Sequence, residues 1–254
     1  MNYQSVAPFI HDGTITWTMT TNGYKFYTLN LITTLRQAKI PWKLCIICCD
    51  SESFLFFRRE GIPCIPYDIE NGAVQLNVAA FGTDEFAKWN RKKVELLKWF
   101  ADGGAGKISN LYLDGDIFVQ KDPWPVLKGL FAGSSSLFFQ CDCANANYHD
   151  GCGVICSGVI AMREPRPEYS ELYIFVESEW AAARKQDQVY IANRLQSLSI
   201  PYKTLRRDLW GNGHWQMSMK WKDDPSWILL HYNYRVAGTK KAAMKKYGHW
   251  VIPY

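Results

Sequence analysis

From Thr14 to Asp68 the chain alternates between two apolar periodicities, and this alternation restricts the fold more than any other feature. "TITWTMT" is β-branched and alternating, as a strand requires, and "TTNGY" closes it with a turn signal. "YTLNLITTLRQAK" carries Leu29, Ile32 and Leu35 at helical spacing and ends on basic residues. "WKLCIICCD" reads as a second apolar strand, "SESFLFFRREG" as a short helix stopped by Gly61, and "IPCIPYD" as a third, strand-like piece. Strand–helix–strand–helix–strand is the order of an open parallel sheet with helices on its faces.

The rest of the chain continues in the same style. "DEFAKWNRKKVELLKWFADGG" predicts the clearest helix, with Phe86, Trp89, Val94, Leu97 and Phe100 on one face and Lys and Arg on the other. "KISNLYLDGDIFV", "SSSLFFQCD" and "GVICSGVIAMR" read as strands, and "SELYIFVESEWAAARKQDQVYIANRLQ" as helical. The tail reads as a strand, "WILLHYNYR", and a basic helix, "KKAAMKKYG". With no internal repeat, low-complexity tract or long linker, a single α/β domain over residues 1–254 is expected.

Composition narrows the function. A net charge of +5 is too mild for a nucleic-acid binder and suits an anionic small substrate. No apolar run is long enough to span a membrane. "MNYQSVAPFIHDG" lacks the pattern of a signal peptide, so the eight cysteines are expected to be reduced thiols in a cytoplasmic setting, bacterial or viral. "GGAGK" is not a phosphate-binding loop, because Ala101 and Ile108 stand where Gly and Ser/Thr are needed and a helix precedes it. Cys141, Cys143, Cys152 and Cys156, with His149, lack zinc-ribbon spacing, and buried or loop thiols are the expectation there.

The sharpest feature is "NLYLDGDIFVQKDPWP". An apolar strand runs into Asp114 and Asp116, whose side chains share a side if the strand continues. Charge is expensive to desolvate. The carboxyl end of a strand is, however, the crevice where open α/β sheets bind ligands. Mn²⁺ or Mg²⁺ takes hard oxygen ligands and would bridge the pair to substrate phosphates.

These segments together resemble the GT-A glycosyltransferases, specifically the nucleotide-diphospho-sugar transferase family. The resemblance is carried by "TTNGY", "NRKKVELLKWFADG", "LYLDGDIFVQKDPWP", "GVICSGVIAMR", "KQDQVYIA" and "LLHYNYRVAGTKKAAMKKYGHW", in that order over about residues 14–250. It implies a GT-A-like (Rossmann-like) mixed, mainly parallel central sheet flanked by helices. It implies transfer of a sugar from a nucleoside diphosphate sugar, of UDP or GDP type, to a glycan or protein-linked acceptor hydroxyl. By position, Asp116 ligates the metal, Asp114 the metal or the ribose, and His231 is the third ligand. Thr20, Thr21, Asn22 and Tyr24 fall where the family holds the nucleoside. Lys93 falls where it faces the sugar nucleotide, with Lys92 as the alternative. Ser157 and Gly158 border the donor sugar, and Asp187 and Gln188 lie by the reacting centre. Gly238 admits the diphosphate, which Lys240 or Lys241 neutralises. The gap from His231 to Gly238 is about one residue longer than the family pattern, which leaves the choice of lysine open.

"RRDLWGNGHWQMSMKW" offers Trp210 and Trp215 as an acceptor-sugar platform, with core packing as the alternative. Two rivals stand beside the transferase. A nucleotidyltransferase needs a Gly-rich basic loop after the first strand, where "TTNGYKFY" has one Gly and one Lys. An inactive carbohydrate-binding protein on the same fold should have lost the Asp pair or His231, and neither is lost. Retention or inversion is not fixed by these residues.

Overall fold

The computed structural model describes residues 1–70, 79–80, 82–144, 153–222, 224–235 and 237–254. Ten strands alternate with helices among them: β1 (Thr14–Thr20), β2 (Leu44–Asp50), β3 (Ile65–Glu70), β4 (Ser109–Leu113), β5 (Ile117–Val119), β6 (Leu137–Cys141), β7 (Ile155–Met162), β8 (Lys203–Leu205), β9 (Trp210–Gly211) and β10 (Leu229–His231). The helices are α1 (Tyr3–Val6), α2 (Lys25–Gln37), α3 (Ser51–Arg59), α4 (Asp84–Ala101), α5 (Trp124–Phe131), α6 (Pro167–Leu172), α7 (Glu177–Ala182), α8 (Asp187–Ser197), α9 (Gly213–Ser218) and α10 (Ala237–Lys246).

Seven strands form a central sheet in the order β3-β2-β1-β4-β7-β6-β8. β3, β2, β1 and β4 are parallel neighbours, and β7 runs antiparallel between β4 and β6. This is the mixed, mainly parallel α/β sheet that the sequence predicts. Both faces are covered. Along β2, Ile46 and Cys48 enter one apolar layer while Cys45, Ile47 and Cys49 enter the other, the period-two consequence of strand geometry.

Helix α4 is built to hold one position. Thr83 caps it by accepting the Phe86 N–H at 3.2 Å, and Asp84 and Glu85 in the first turn favour the helix dipole. Phe100 stacks on Trp17 of β1 with ring centroids 4.3 Å apart. This anchor turns the Lys93 side of the helix toward the strand ends. The exposed basic face expected for α4 is therefore interrupted, because Lys92 and Lys93 are both buried.

Three other expectations need correction. "KISNLYLDGDIFV" is not one strand. β4 ends at Leu113, and β5 joins β10 and β9 in a separate three-stranded sheet. The turn between them passes so close to α2 that a Cβ on Gly115 would lie 2.8 Å from Thr28 Oγ1. The long helical segment is three helices, broken at Tyr173–Val176 and Ala183–Gln186, with Arg184 and Lys185 at positive φ. The cysteines are not all thiols either. Cys143 is disulfide-bonded, while Cys45, Cys48, Cys49, Cys64, Cys141 and Cys156 are thiols. The bond takes Cys143 out of any thiolate site, and His149 and Cys152 lie outside the described residues. No described helix is long and apolar enough to cross a membrane.

Candidate active site

The parallel strands β1, β2 and β4 end together, and a cavity of about 880 Å³ opens over the ends of β1 and β4. Asp114 follows β4 directly, its N–H donating to Gly158 O at 2.8 Å. Asp116 lies past the Gly115 turn, and His231 ends β10, which pairs with β5. Two sheets thus meet at three side chains. His231 Nε2 is 3.3 Å from Asp116 Oδ1 and 3.6 Å from Asp114 Oδ2. One ligand atom from each residue fits within 4.8 Å, and this is the one such His/Cys/Asp/Glu group among the described residues.

Gly158 explains how the strands come so close. A Cβ there would fall 2.0 Å from His231 Cε1 and 2.7 Å from Asp114 Oδ2. Its lack of a side chain makes room for the cluster itself.

Cations flank the cluster. Lys240 donates to Asp116 Oδ2 and to Tyr24 Oη, the latter at 3.1 Å. Lys93 pairs with Asp187 Oδ2 at 2.9 Å and Asp114 Oδ1 at 3.2 Å, and reaches Ser157 Oγ at 3.4 Å. Tyr112 Oη donates to Asp114 Oδ1 at 2.5 Å. Burial opposes the charge on Asp116, yet Lys240 and His231 outweigh it and hold the carboxyl well below the usual range. Burial likewise opposes the cationic His231, and Asp116 beside it raises its pKa to about 10. Lys93 and Lys240 are both raised, against desolvation, by their carboxylate partners.

Thr20, Thr21, Tyr24, Lys93, Asp114, Asp116, Ser157, Asp187, Gln188, His231 and Lys240 all line the cavity. Asn22 sits just behind it, its N–H bonded to Asp50 Oδ2 at 2.7 Å. Lys240 enters the cavity, whereas Lys241 lies over the Trp250 ring at 4.8 Å. Gly238 is in the exposed first turn of α10, with nothing within 4 Å of an added Cβ. Trp210 and Trp215 are buried in the apolar core and line no part of the cavity, so they form no platform.

The sequence reading did not single out Asp142. It accepts hydrogen bonds from Gln188 Nε2 at 2.9 Å and Asn233 Nδ2 at 3.0 Å, and Tyr234 Oη donates to its backbone carbonyl at 3.2 Å. Its position directly after an apolar strand, "SSSLFFQCD", repeats the Asp114 pattern and was the available signal.

Residues 42–244 match the profile of the nucleotide-diphospho-sugar transferase family. The chain belongs to that family. Solved structures agree at the level of fold. The ligand-free glycosyltransferase GlyE of Streptococcus pneumoniae TIGR4 superposes with a TM-score of 0.55 at 15% identity, over 93% of this chain and 60% of that one. This chain is therefore markedly shorter than GlyE. A glycosyltransferase involved in glycosylation of the major capsid of PBCV-1 gives 0.53 at 10% identity, over 91% of this chain and 98% of that one. The galactosyltransferase LgtC, solved with donor and acceptor sugar analogs, gives 0.52 at 14%, over 92% and 94%. No curated protein matches the sequence. The cavity lies beyond the carboxyl ends of β1 and β4, the crevice where open α/β sheets bind ligands.

Proposed function

We propose that this transferase-family chain moves a sugar from a nucleoside diphosphate sugar to the hydroxyl of a glycan or glycosylated acceptor, with a divalent cation held by Asp114, Asp116 and His231. The observation that carries this reading is the junction of two carboxylates and one imidazole inside the cavity, with Lys93 on one side and Lys240 on the other. Two oxygens and a nitrogen from facing strands suit Mn²⁺, and Mg²⁺ with more water retained. The Gly158 cradle supports the fit, since it keeps the three donors free of a fourth side chain. When bound, such an ion supplies Lewis-acid stabilisation of charge on a leaving diphosphate.

The protein's own groups divide the remaining work. Lys240, at the Tyr24 side, would meet the diphosphate and offset its charge. Thr20, Thr21 and Tyr24 line the nucleoside end. Lys93 holds Asp187 in place, leaving the other carboxylate oxygen of Asp187 for a sugar hydroxyl. Gln188 receives the Ser157 N–H at 3.4 Å and donates to Asp142, so its amide ties these two neighbours together at the cavity wall. Apart from Lys93, which reaches in from the middle of α4, these groups sit at or near strand ends and helix starts, which keeps the reacting groups in one geometry.

A thermal-shift panel tests this reading: UDP-, GDP- and dTDP-sugars, each with and without Mn²⁺, on wild type and Asp116→Asn. A ligand that binds the native state raises its melting temperature by mass action. A Mn²⁺-dependent rise for one nucleotide class, absent in the variant, is expected and names the donor base. A rise that is equal with and without Mn²⁺ and unchanged in the variant would rule the cation site out.

A further inference from the structure

We propose that Gln140 is a positioning residue for the Asp114–Asp116–His231 centre: it keeps a proton on His231 Nδ1 and so leaves Nε2 to face the two carboxylates. The inference rests on the cation-site reading above and adds a residue that touches none of the reacting groups.

Gln140 is fully buried on β6. Its Nε2 donates to two backbone carbonyls, Trp210 O at 3.2 Å and Gly211 O at 3.0 Å. Carbonyls only accept, so this pair of contacts decides which end of the amide is nitrogen. The other end, Oε1, lies 2.8 Å from His231 Nδ1. An amide oxygen also only accepts, and Nδ1 must therefore carry its proton. A neutral imidazole has a single N–H, so its lone pair is then on Nε2. That atom is the one 3.3 Å from Asp116 and 3.6 Å from Asp114.

One neighbour competes. Cys156 Sγ lies 3.6 Å from Nδ1. A thiol proton aimed at Nδ1 would require the other tautomer, with an N–H pointing at the carboxylates where a cation should sit. The sulfur already receives Gly158 N and Asn233 Nδ2, each at 3.5 Å, and the amide contact is far shorter. The sheet makes this arrangement possible. Between β6 and β7 the register jumps from Phe139↔Ile160 to Gln140↔Cys156, an irregularity of the kind that re-aims a side chain beside a site.

The same amide ties β6 to β9, which pairs with β10, so a purely architectural role is the rival. A double-mutant cycle separates the two. Mn²⁺ affinity is read from the EPR signal of free Mn²⁺ for wild type, Gln140→Met, His231→Ala and the double variant. Gln140→Met is expected to weaken Mn²⁺ binding about 10–100-fold, as loss of a ligand's hydrogen-bond partner does elsewhere. In the His231→Ala background the same change is expected to cost no more than about twofold, because its route to the ion is gone. Wild-type affinity in Gln140→Met, or an equal loss in both backgrounds, would overturn the inference. Wild-type affinity in His231→Ala would instead overturn the cation site itself. Should Gln140→Met fail to fold, the ¹⁵N chemical shifts of His231 in the wild-type protein with Mg²⁺ decide the matter: a protonated Nδ1 and an unprotonated Nε2 are expected, and the reverse tautomer would refute the assignment.

Discussion

Gly158→Ala is the most direct challenge to the site as described. The added methyl would start 2.0 Å from His231 Cε1, 2.7 Å from His231 Nδ1 and 2.7 Å from Asp114 Oδ2. Ordinary carbon–carbon contact is about 3.5 Å, so the ring and the methyl must part by about 1.5 Å. His231 is buried and its Nδ1 is engaged by Gln140, so it has nowhere to go without losing that bond. Overpacking of this kind costs about 1–3 kcal/mol, which for a chain of this size lowers Tm by about 2–12 °C. Any displacement also pulls Nε2 away from Asp116, so Mn²⁺ affinity should fall at least about tenfold. Calorimetry gives the first quantity and Mn²⁺ titration the second. Gly129→Ala is the matched control, since Gly129 lies on the exposed face of α5 with nothing within 4 Å of an added Cβ. It should leave metal binding unchanged and stabilise the chain by about 0.5–1 kcal/mol. Gly158→Ala with unaltered Tm and Mn²⁺ affinity would mean that β7, His231 and Asp114 do not meet as described.

Two further outcomes follow from the geometry. Lys93→Met removes the cation shared by Asp114 and Asp187, and should weaken donor binding at least about tenfold in isothermal titration, as loss of one member of a buried charge pair does; Lys92→Met, at a residue that does not line the cavity and whose ammonium lies near the Tyr67 and Trp89 rings, should not. His249 is buried against Phe118, and desolvation lowers its pKa from 6.5 to about 4; between those values only the unfolded chain binds the proton, so stability is full above pH 6.5 and should fall by about 2 kcal/mol from pH 7 to pH 5, a loss that His249→Phe should largely abolish in urea titrations.

Much of the frame is legible in the sequence because it depends on local pattern. β1 and β2 follow from alternation and apolar runs, and α4 from its period, its Thr83 cap and its closing glycines. The failures have a common cause, which is tertiary context. Nothing in "LDGDIF" tells that β5 leaves the sheet to which β4 belongs, because the departure is dictated by pairing with β10, more than a hundred residues later. The breaks between α6, α7 and α8 carry no Gly or Pro, and Arg184 and Lys185 take the left-handed turn instead. Trp210 and Trp215 look the same in sequence whether they face a sugar or the core. Gln140 and Asp142 are polar residues within or just after an apolar run, and only the neighbours that the fold supplies give them partners.

The opening puzzle of costly charge at a strand end resolves through pairing. Lys240, Asp116, His231, Asp114, Lys93 and Asp187 form a continuous chain of ion pairs in which carboxylates alternate with cations. With His231 protonated, the three acids and the three bases balance, which is how a buried cluster of this size escapes the penalty for isolated charge. The balance also constrains what the cavity can accept. A lone dication would leave unmatched positive charge beside Lys93 and Lys240, and a lone diphosphate would set its anion against Asp114 and Asp116. A dication and a diphosphate arriving together add no net charge of their own, and His231 would give up its Nε2 proton to free the lone pair that holds the ion; each then meets its opposite, the ion at the carboxylates and the phosphates at Lys240. The arrangement of fixed charges therefore favours the pair over either partner alone, and nucleotide and metal should each raise the affinity for the other.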